Sequence, residues 1–326
     1  MAFSHIPVLL NEVLDNLAIV PDGIYVDATF GRGGHSRRIL EKLGPSGRLY
    51  ALDRDPQAVA AAAEITDPRF KIIKSPFSRL LEVCEELGIA GCVDGILMDI
   101  GVSSPQLDDA ERGFSFDRDG PLDMRMDNSS GLTAADVVNT WDKNELAAIF
   151  KEYGEERFAS KVAAAIVKDR EREQFTSTAQ LASFLERVIP GPALHKHKAT
   201  RCFQALRIAV NSELDELRQA LEASTAVLSS GGRLCVISFH SLEDRIVKNF
   251  IKKNSQGAAV PKGLPLTFEE IEKMRLATAT LEPVGGPVKA SQEELERNVR
   301  SRSATLRVAA RLKRNIKNAK CSGQTL

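Results

Sequence analysis

The stretch from residue 24 to residue 44 constrains the fold more than any other part of the chain. Ile24, Tyr25 and Val26 form a β-branched and aromatic run that ends in Asp27. Gly31, Gly33 and Gly34 follow, residues that take positive φ freely and let backbone amides approach a ligand. Ser36 is then placed to cap a helix over 37–43, which Gly44 would end. Strand, glycine turn and helix N-terminus, in that order, is how α/β proteins hold nucleotide-like ligands. The spacing departs from the G-x-G-x-x-G of dinucleotide sites, because Ser36 takes the third glycine position. Asp27 would repel a pyrophosphate and attract an ammonium or sulfonium group, which favours S-adenosylmethionine over a dinucleotide.

The pattern then repeats. Residues 48–53 and 93–99 read as strands that also end in acids, Asp53 and Asp99, and 70–74 reads as a strand between them. Apolar residues at helical spacing predict a helix over 5–18, another after Asp55-Pro56 through 64, and a third over 78–87. Strands alternating with helices imply a parallel, doubly wound α/β sheet with right-handed crossovers. Asp27, Asp53 and Asp99 then share the carboxyl edge, where open α/β sheets bind ligands. Asp53 lies roughly twenty residues past the glycine turn, where a carboxylate accepts bonds from both ribose hydroxyls. This is the layout of a nucleoside site.

From about 104 to 212 the alternation stops. Helices are expected over 142–153 (Asp142 and Glu145 resembling a capping box), 155–173, 177–188 and 199–210. A helix over 213–228 and a strand over 233–239 resume the α/β pattern. Past Gly257 the chain is rich in Pro and Gly, and 304–308 reads as a last edge strand. The simplest organisation is one discontinuous domain, 1–104 with 213–326, interrupted by an inserted helical domain, 105–212, placed to act as a wall or lid over a second substrate.

Composition narrows the class. With 43% hydrophobic and 27% charged residues in 326, the chain is an ordinary globular protein, and no apolar run approaches the ~20 residues of a membrane span. Five scattered cysteines without a C-x-x-C pair and no secretory signal point to reduced thiols in the cytoplasm. His195 and His197 stand two apart with no cysteine pair nearby, so no metal is expected. Formal net charge is zero, yet from Arg297 onward there are nine Lys or Arg and no acid. Such a segment suits a polyanion if the site itself calls for nucleic acid.

Met98-Asp99-Ile100-Gly101-Val102-Ser103-Ser104-Pro105-Gln106-Leu107-Asp108 resembles the MraW/RsmH-type 16S ribosomal RNA (cytosine(1402)-N4)-methyltransferases. The similarity extends over nearly the whole chain. It takes in His5-Ile6-Pro7-Val8-Leu9-Leu10, the glycine turn through His35-Ser36, Arg112–Phe116, Pro121–Met126, Tyr153–Glu156, Ala199–Ile208, Ile237–Arg245 and Ser301–Ala304. Two departures stand out: Lys198 and Val299 occupy positions where the family has other residues, proline in the first case. The resemblance implies a class I (Rossmann-like) S-adenosylmethionine-dependent methyltransferase sheet with an inserted all-helical subdomain. It implies cofactor contacts at Gly33, Gly34, His35, Asp53, Phe77, Asp99 and Gln106. The acceptor would be the exocyclic N4 of a cytosine in 16S rRNA of the small ribosomal subunit.

That amine is a poor nucleophile, its lone pair delocalised into the ring, so an acceptor must hold one N–H and aim the lone pair. Asp99, with Ser103 and Ser104, is the expected orienting group, and positioning supplies most of the acceleration. His35 has no evident acid partner in the sequence. RNA contact is expected from Arg201, Arg207, His240, Arg245, Arg300, Arg302 and the basic segment, with Phe114 or Phe116 available to stack on an unstacked base. The alternatives are another amino-methylating nucleic-acid enzyme and a non-catalytic RNA-binding assembly factor. A nicotinamide-dependent oxidoreductase is disfavoured by Asp27, Ser36 and the insertion.

Overall fold

The computed structural model describes residues 7–192, 197–257 and 267–313 of the chain. His5 and Ile6 of the opening motif, His195, and Arg314, Lys317 and Lys320 of the basic segment lie outside the described residues. The chain divides into two compact units, residues 1–101 with 215–326, and residues 102–214.

The first unit is built on seven strands: β1 (Ile24–Asp27), β2 (Arg48–Asp53), β3 (Phe70–Lys74), β4 (Val93–Asp99), β5 (Leu228–Ser238), β6 (Leu281–Pro283) and β7 (Thr305–Arg311). Their order in the sheet is β3-β2-β1-β4-β5-β7-β6, and all neighbours are parallel except where β7 runs antiparallel to β5 and β6. The Rossmann-like α/β sheet is therefore present. The expected last edge strand is instead interior, because β7 returns between β5 and β6.

Side chains alternate between the two faces, as the period of two demands. Along β4, Ile96 and Met98 enter a core with Val26, Leu52, Leu234 and Val236, while Leu97 enters another with Tyr25, Leu49, Cys235 and Ile237. Each such buried aliphatic is worth about 1.5–3 kcal/mol. Register sets the carboxyl edge: Asp27 pairs with Ala51 on one side and Leu97 on the other. Asp53 and Asp99 thus stand two residues beyond it, on the flanking strands.

Several local expectations change. The helix after the glycine turn spans Gly34–Lys42, with Gly33 at its N-cap, so Ser36 lies inside it rather than capping it. Residues read as Pro- and Gly-rich contain the helices Phe268–Thr278 and Gln292–Arg297 as well as β6. Cys84, Cys202 and Cys235 are buried free thiols, as expected of a reducing compartment, and Cys321 lies outside the described residues. No helix among the described residues is long and apolar enough to cross a membrane.

Among its described residues the second unit is helical apart from loops and an isolated bridge between Pro121 and Ser177. Its main helices are Ala134–Thr140, Lys143–Glu152, Ala159–Asp169, Thr178–Val188 and Thr200–Asn211. Asp142 accepts from the N–H groups of Asn144 and Glu145, and Glu145 returns a bond to the Asp142 N–H at 2.8 Å, completing the capping box. Phe150, Phe175, Phe184, Leu181 and Leu185 fill the core between these helices.

Candidate active site

The glycine turn is pinned to both neighbouring strands: the Ala28 N–H donates to the Leu97 carbonyl and the Phe30 N–H to that of Leu52. Gly33 has φ +72°, and a Cβ on it would fall 2.7 Å from the Phe30 ring. A Cβ on Gly34 would fall 2.5 Å from Cγ of Pro7. At Gly31, by contrast, nothing among the described residues lies within 4 Å of a Cβ position. The turn is packed on its protein side and open where a ligand would approach backbone.

Asp27 and Ser36 do not play the parts assigned to them. Asp27 is 1% exposed. Its carboxylate accepts from the Ser36 hydroxyl at 2.6 Å and from the Thr29 N–H at 3.2 Å. Burial raises its pKa, against the lowering effect of those bonds. Its chemistry is to tie β1, the turn and the following helix together, not to face a cationic ligand.

Asp53 accepts the N–H of Asp55 on one oxygen (2.9 Å) and that of Gly31 on the other (2.8 Å). Each oxygen keeps a further lone pair for hydroxyl donors. Burial lifts its pKa to about 6, opposed by those two N–H bonds and reinforced by Asp55 and Asp27.

Asp99 is the least satisfied group of the edge. Its N–H donates to Oγ1 of Thr29 at 2.7 Å, which orients the residue, yet its Oδ1 is sealed from solvent without a hydrogen-bond partner. The side chain as a whole is 22% exposed, so the access lies away from Oδ1. Burial, then Asp27 and Glu243, push its pKa up to about 8. An unpaired buried acceptor is rare enough to mark a functional position.

His35 does have an acid neighbour. Its Nδ1 stands 3.7 Å from Oδ2 of Asp99, and its Nε2 lies 3.0 Å from the Val8 carbonyl. A carbonyl only accepts, so Nε2 carries hydrogen, and in the neutral ring Nδ1 offers a lone pair toward Asp99. No sequence spacing announces this pair, since register alone brings β4 beside the turn.

His240 proves to be the N-cap of the helix Ser241–Gln256, boxed with Glu243. Glu243 is wholly buried and accepts the Phe239 N–H at 2.8 Å. The pattern His240-x-x-Glu243 is a capping box with histidine in the serine position, a signal the sequence carried. Phe77, half-buried, opens the short 3-10 turn Phe77–Arg79. Among the described residues no group of His, Cys, Asp or Glu could hold a metal ion.

In the second unit, Gln106 is 5% exposed and accepts the Ser103 N–H at 2.9 Å, stabilising the turn that begins the helix Ser104–Asp108. Arg207 makes two 2.8 Å bonds to Glu213, itself 4% exposed, and so is occupied within the fold. Arg201, by contrast, is exposed. Phe114 is buried in the core, and Phe116 packs on Phe203 and His197. Lys198 donates to the carbonyls of Glu186 and Ile189, satisfying the end of the helix Thr178–Val188, which explains a lysine there. Of the basic segment, Arg302 is exposed, Arg297 pairs with Glu293, and Arg307 forms a bidentate pair with Asp244 (2.6 and 2.9 Å). Arg307 is thus unavailable to a polyanion.

The family model described as the MraW methylase family matches residues 2–312. A curated protein of Shewanella halifaxensis, named Ribosomal RNA small subunit methyltransferase H, is 56% identical over 311 residues, 95% of this chain and 98% of that protein. The protein of the same name from Shewanella pealeana is 56% identical over the same shares. A solved SAM-dependent methyltransferase from Aquifex aeolicus is similar at 11% identity and a TM-score of 0.37, covering 94% of this chain and 90% of that one.

Proposed function

The chain belongs to the MraW methylase family, and from that premise we propose that it methylates the exocyclic N4 of cytosine 1402 in 16S rRNA of the small ribosomal subunit. In this reading the cofactor is S-adenosylmethionine. The residues fit such a ligand: an open approach beside Gly31, a carboxylate with free lone pairs at Asp53, and an unpartnered buried oxygen at Asp99. When bound, it supplies an electrophilic methyl group on a cationic sulfonium.

The observation that carries the reading is the placement of Asp99, at the carboxyl edge of the sheet beside the glycine turn and with part of its side chain open to solvent. Asp53 would hold the ribose hydroxyls, and the Gly33–Gly34 backbone the amino-acid portion. Asp99 acts as the acceptor for one amine N–H, rotating the amine so that its lone pair is no longer delocalised into the ring. With the methyl group presented in line to the amine nitrogen, Asp99 would hold the remaining N–H and would take, or pass to solvent, the proton that the nitrogen gives up on methylation. A cation nearby favours the ionised form of Asp99, so its raised pKa is lowered when it is needed as an acceptor. Holding the reactants in line supplies about 7–11 kcal/mol of the barrier reduction. Ser103 and Ser104 are the further candidates for orienting the amine, and Arg201 and Arg302 for phosphate contact.

The experiment incubates the protein and labelled cofactor with small subunits from cells lacking this activity. Mass spectrometry of the nucleosides should then reveal N4-methylcytosine, and that of nuclease fragments should place it at position 1402. Label in another nucleoside, or none, overturns the acceptor assignment.

A further inference from the structure

The helix Gln292–Arg297 is capped by Ser291, whose hydroxyl accepts from the Glu294 N–H at 3.2 Å. In a capping box the glutamate at this third position returns to the N-cap N–H. Glu294 does something else. Its Oε1 accepts the N–H of Leu9 at 2.8 Å, 285 residues away in sequence, and the Ser301 hydroxyl at 2.5 Å. Leu9 is fully buried with φ +53°, a left-handed conformation costly for a branched side chain, so surrounding bonds must hold it there. Without Glu294 the Leu9 N–H loses this acceptor in a buried position.

Leu9 is joined to Val8, and the Val8 carbonyl is the acceptor that fixes hydrogen on Nε2 of His35. Pro7, one residue earlier, packs against Gly34. The segment Pro7–Leu9 therefore covers the glycine turn and sets the tautomer of the imidazole that faces Asp99. From the distances along this path we propose that Glu294 is a positioning residue of the cofactor site, acting through Leu9 and Val8 on His35. It touches neither ligand nor reacting atoms. Ser301 lies between Arg300 and Arg302, so one carboxylate holds both the segment over the turn and the basic segment. The inference rests on the assignment of the turn to the cofactor.

The test uses full-length protein and S-adenosylhomocysteine as the probe. Calorimetry reads affinity, amide exchange reads Leu9, and 15N spectra of labelled histidine distinguish the Nε2–H from the Nδ1–H tautomer of His35. Glu294→Ala should weaken affinity roughly three- to thirtyfold, the range for coupling carried through a packed intermediary. It should also speed Leu9 exchange and give His35 a mixture of tautomers. Glu294→Gln, which keeps an acceptor oxygen, should restore all three, and Glu293→Ala, altering only an exposed pair with Arg297, should move none. Should the alanine variant not fold, Glu294→Asp keeps the charge but is one methylene too short, and should behave as described for alanine. Wild-type tautomer and affinity in Glu294→Ala or Glu294→Asp overturns the proposal, as does loss of affinity that Glu294→Gln does not rescue. Asp53→Asn is the separate control: wild-type affinity in that variant would overturn the cofactor assignment itself.

Discussion

The two units treat buried charge in opposite ways. In the helical unit polar groups are closed upon one another. Arg112, 4% exposed, donates to the carbonyls of Arg125 and Met126, and Arg207 meets Glu213 with two bonds. Asn211, 2% exposed, donates to the Met124 carbonyl and accepts the Met126 N–H, both at 2.7 Å, standing in for a strand partner. At the carboxyl edge of the sheet, three acids sit with raised pKa values, and one of them keeps an unpaired oxygen. Satisfied networks make a fold rigid and specific; unsatisfied ones are tolerated where a ligand completes them.

That contrast can be broken most sharply at Asp99. Asp99→Asn should lower the single-turnover rate of methyl transfer by about two to three orders of magnitude, the usual size for one oriented polar group at a reacting centre. A rate within a few fold of wild type would remove Asp99 from catalysis. The corresponding cut in the helical unit should act on stability instead. Arg207→Ala leaves Glu213 buried and unpaired, so denaturant unfolding should show a loss of about 3 kcal/mol. RNA affinity measured on the folded protein should not change, and a selective loss of RNA affinity would return Arg207 to the interface.

The pH response tests the same difference. Asp99 moves from 3.8 to about 8 on folding, and Asp53 from 3.8 to about 6. An acid with a raised native pKa binds more protons folded than unfolded, so ligand-free stability should fall as pH rises from about 4 to 8. The drop should be on the order of 2 kcal/mol, below the undiluted value because part of the Asp99 side chain meets solvent. Thermal melts of Asp99→Asn should be flatter above pH 6; an unchanged slope would place the titration elsewhere. The smallest effect is expected at Arg201. Arg201→Ala should reduce the slope of log affinity for RNA against log salt by about 1, with stability within about 0.5 kcal/mol of wild type. An unaltered slope would leave Arg201 outside the interface.

The sheet edge was legible because its signals are local. A β-branched run, an acid at its end and a glycine turn occupy a few consecutive residues, and Asp53 and Asp99 repeat that signature. What escaped depends on contacts distant in sequence. Nothing near Thr305 states that its strand enters between β5 and β6, since only the pairing of Cys235 with Val308 and of Ala309 with Pro283 reveals it. The proximity of His35 to Asp99 follows from register. The helix Phe268–Thr278 was hidden because its residues mix charges and apolar groups, and Phe268 is left 82% exposed. The capping role of His240 is legible in the three-residue spacing from His240 to Glu243.

The interior position of β7 also orders events during synthesis. Strands β1 to β5 can pair as they emerge, but β6 has no place in the sheet until β7 exists to separate it from β5. Glu294, which holds Leu9 over the glycine turn, emerges only shortly before β7. Early residues of the proposed cofactor site therefore wait for nearly 300 others before their last contacts form. Such long-range closure is slow to nucleate, and it leaves the open edge of β5 exposed to chaperones and to misassembly in the interval.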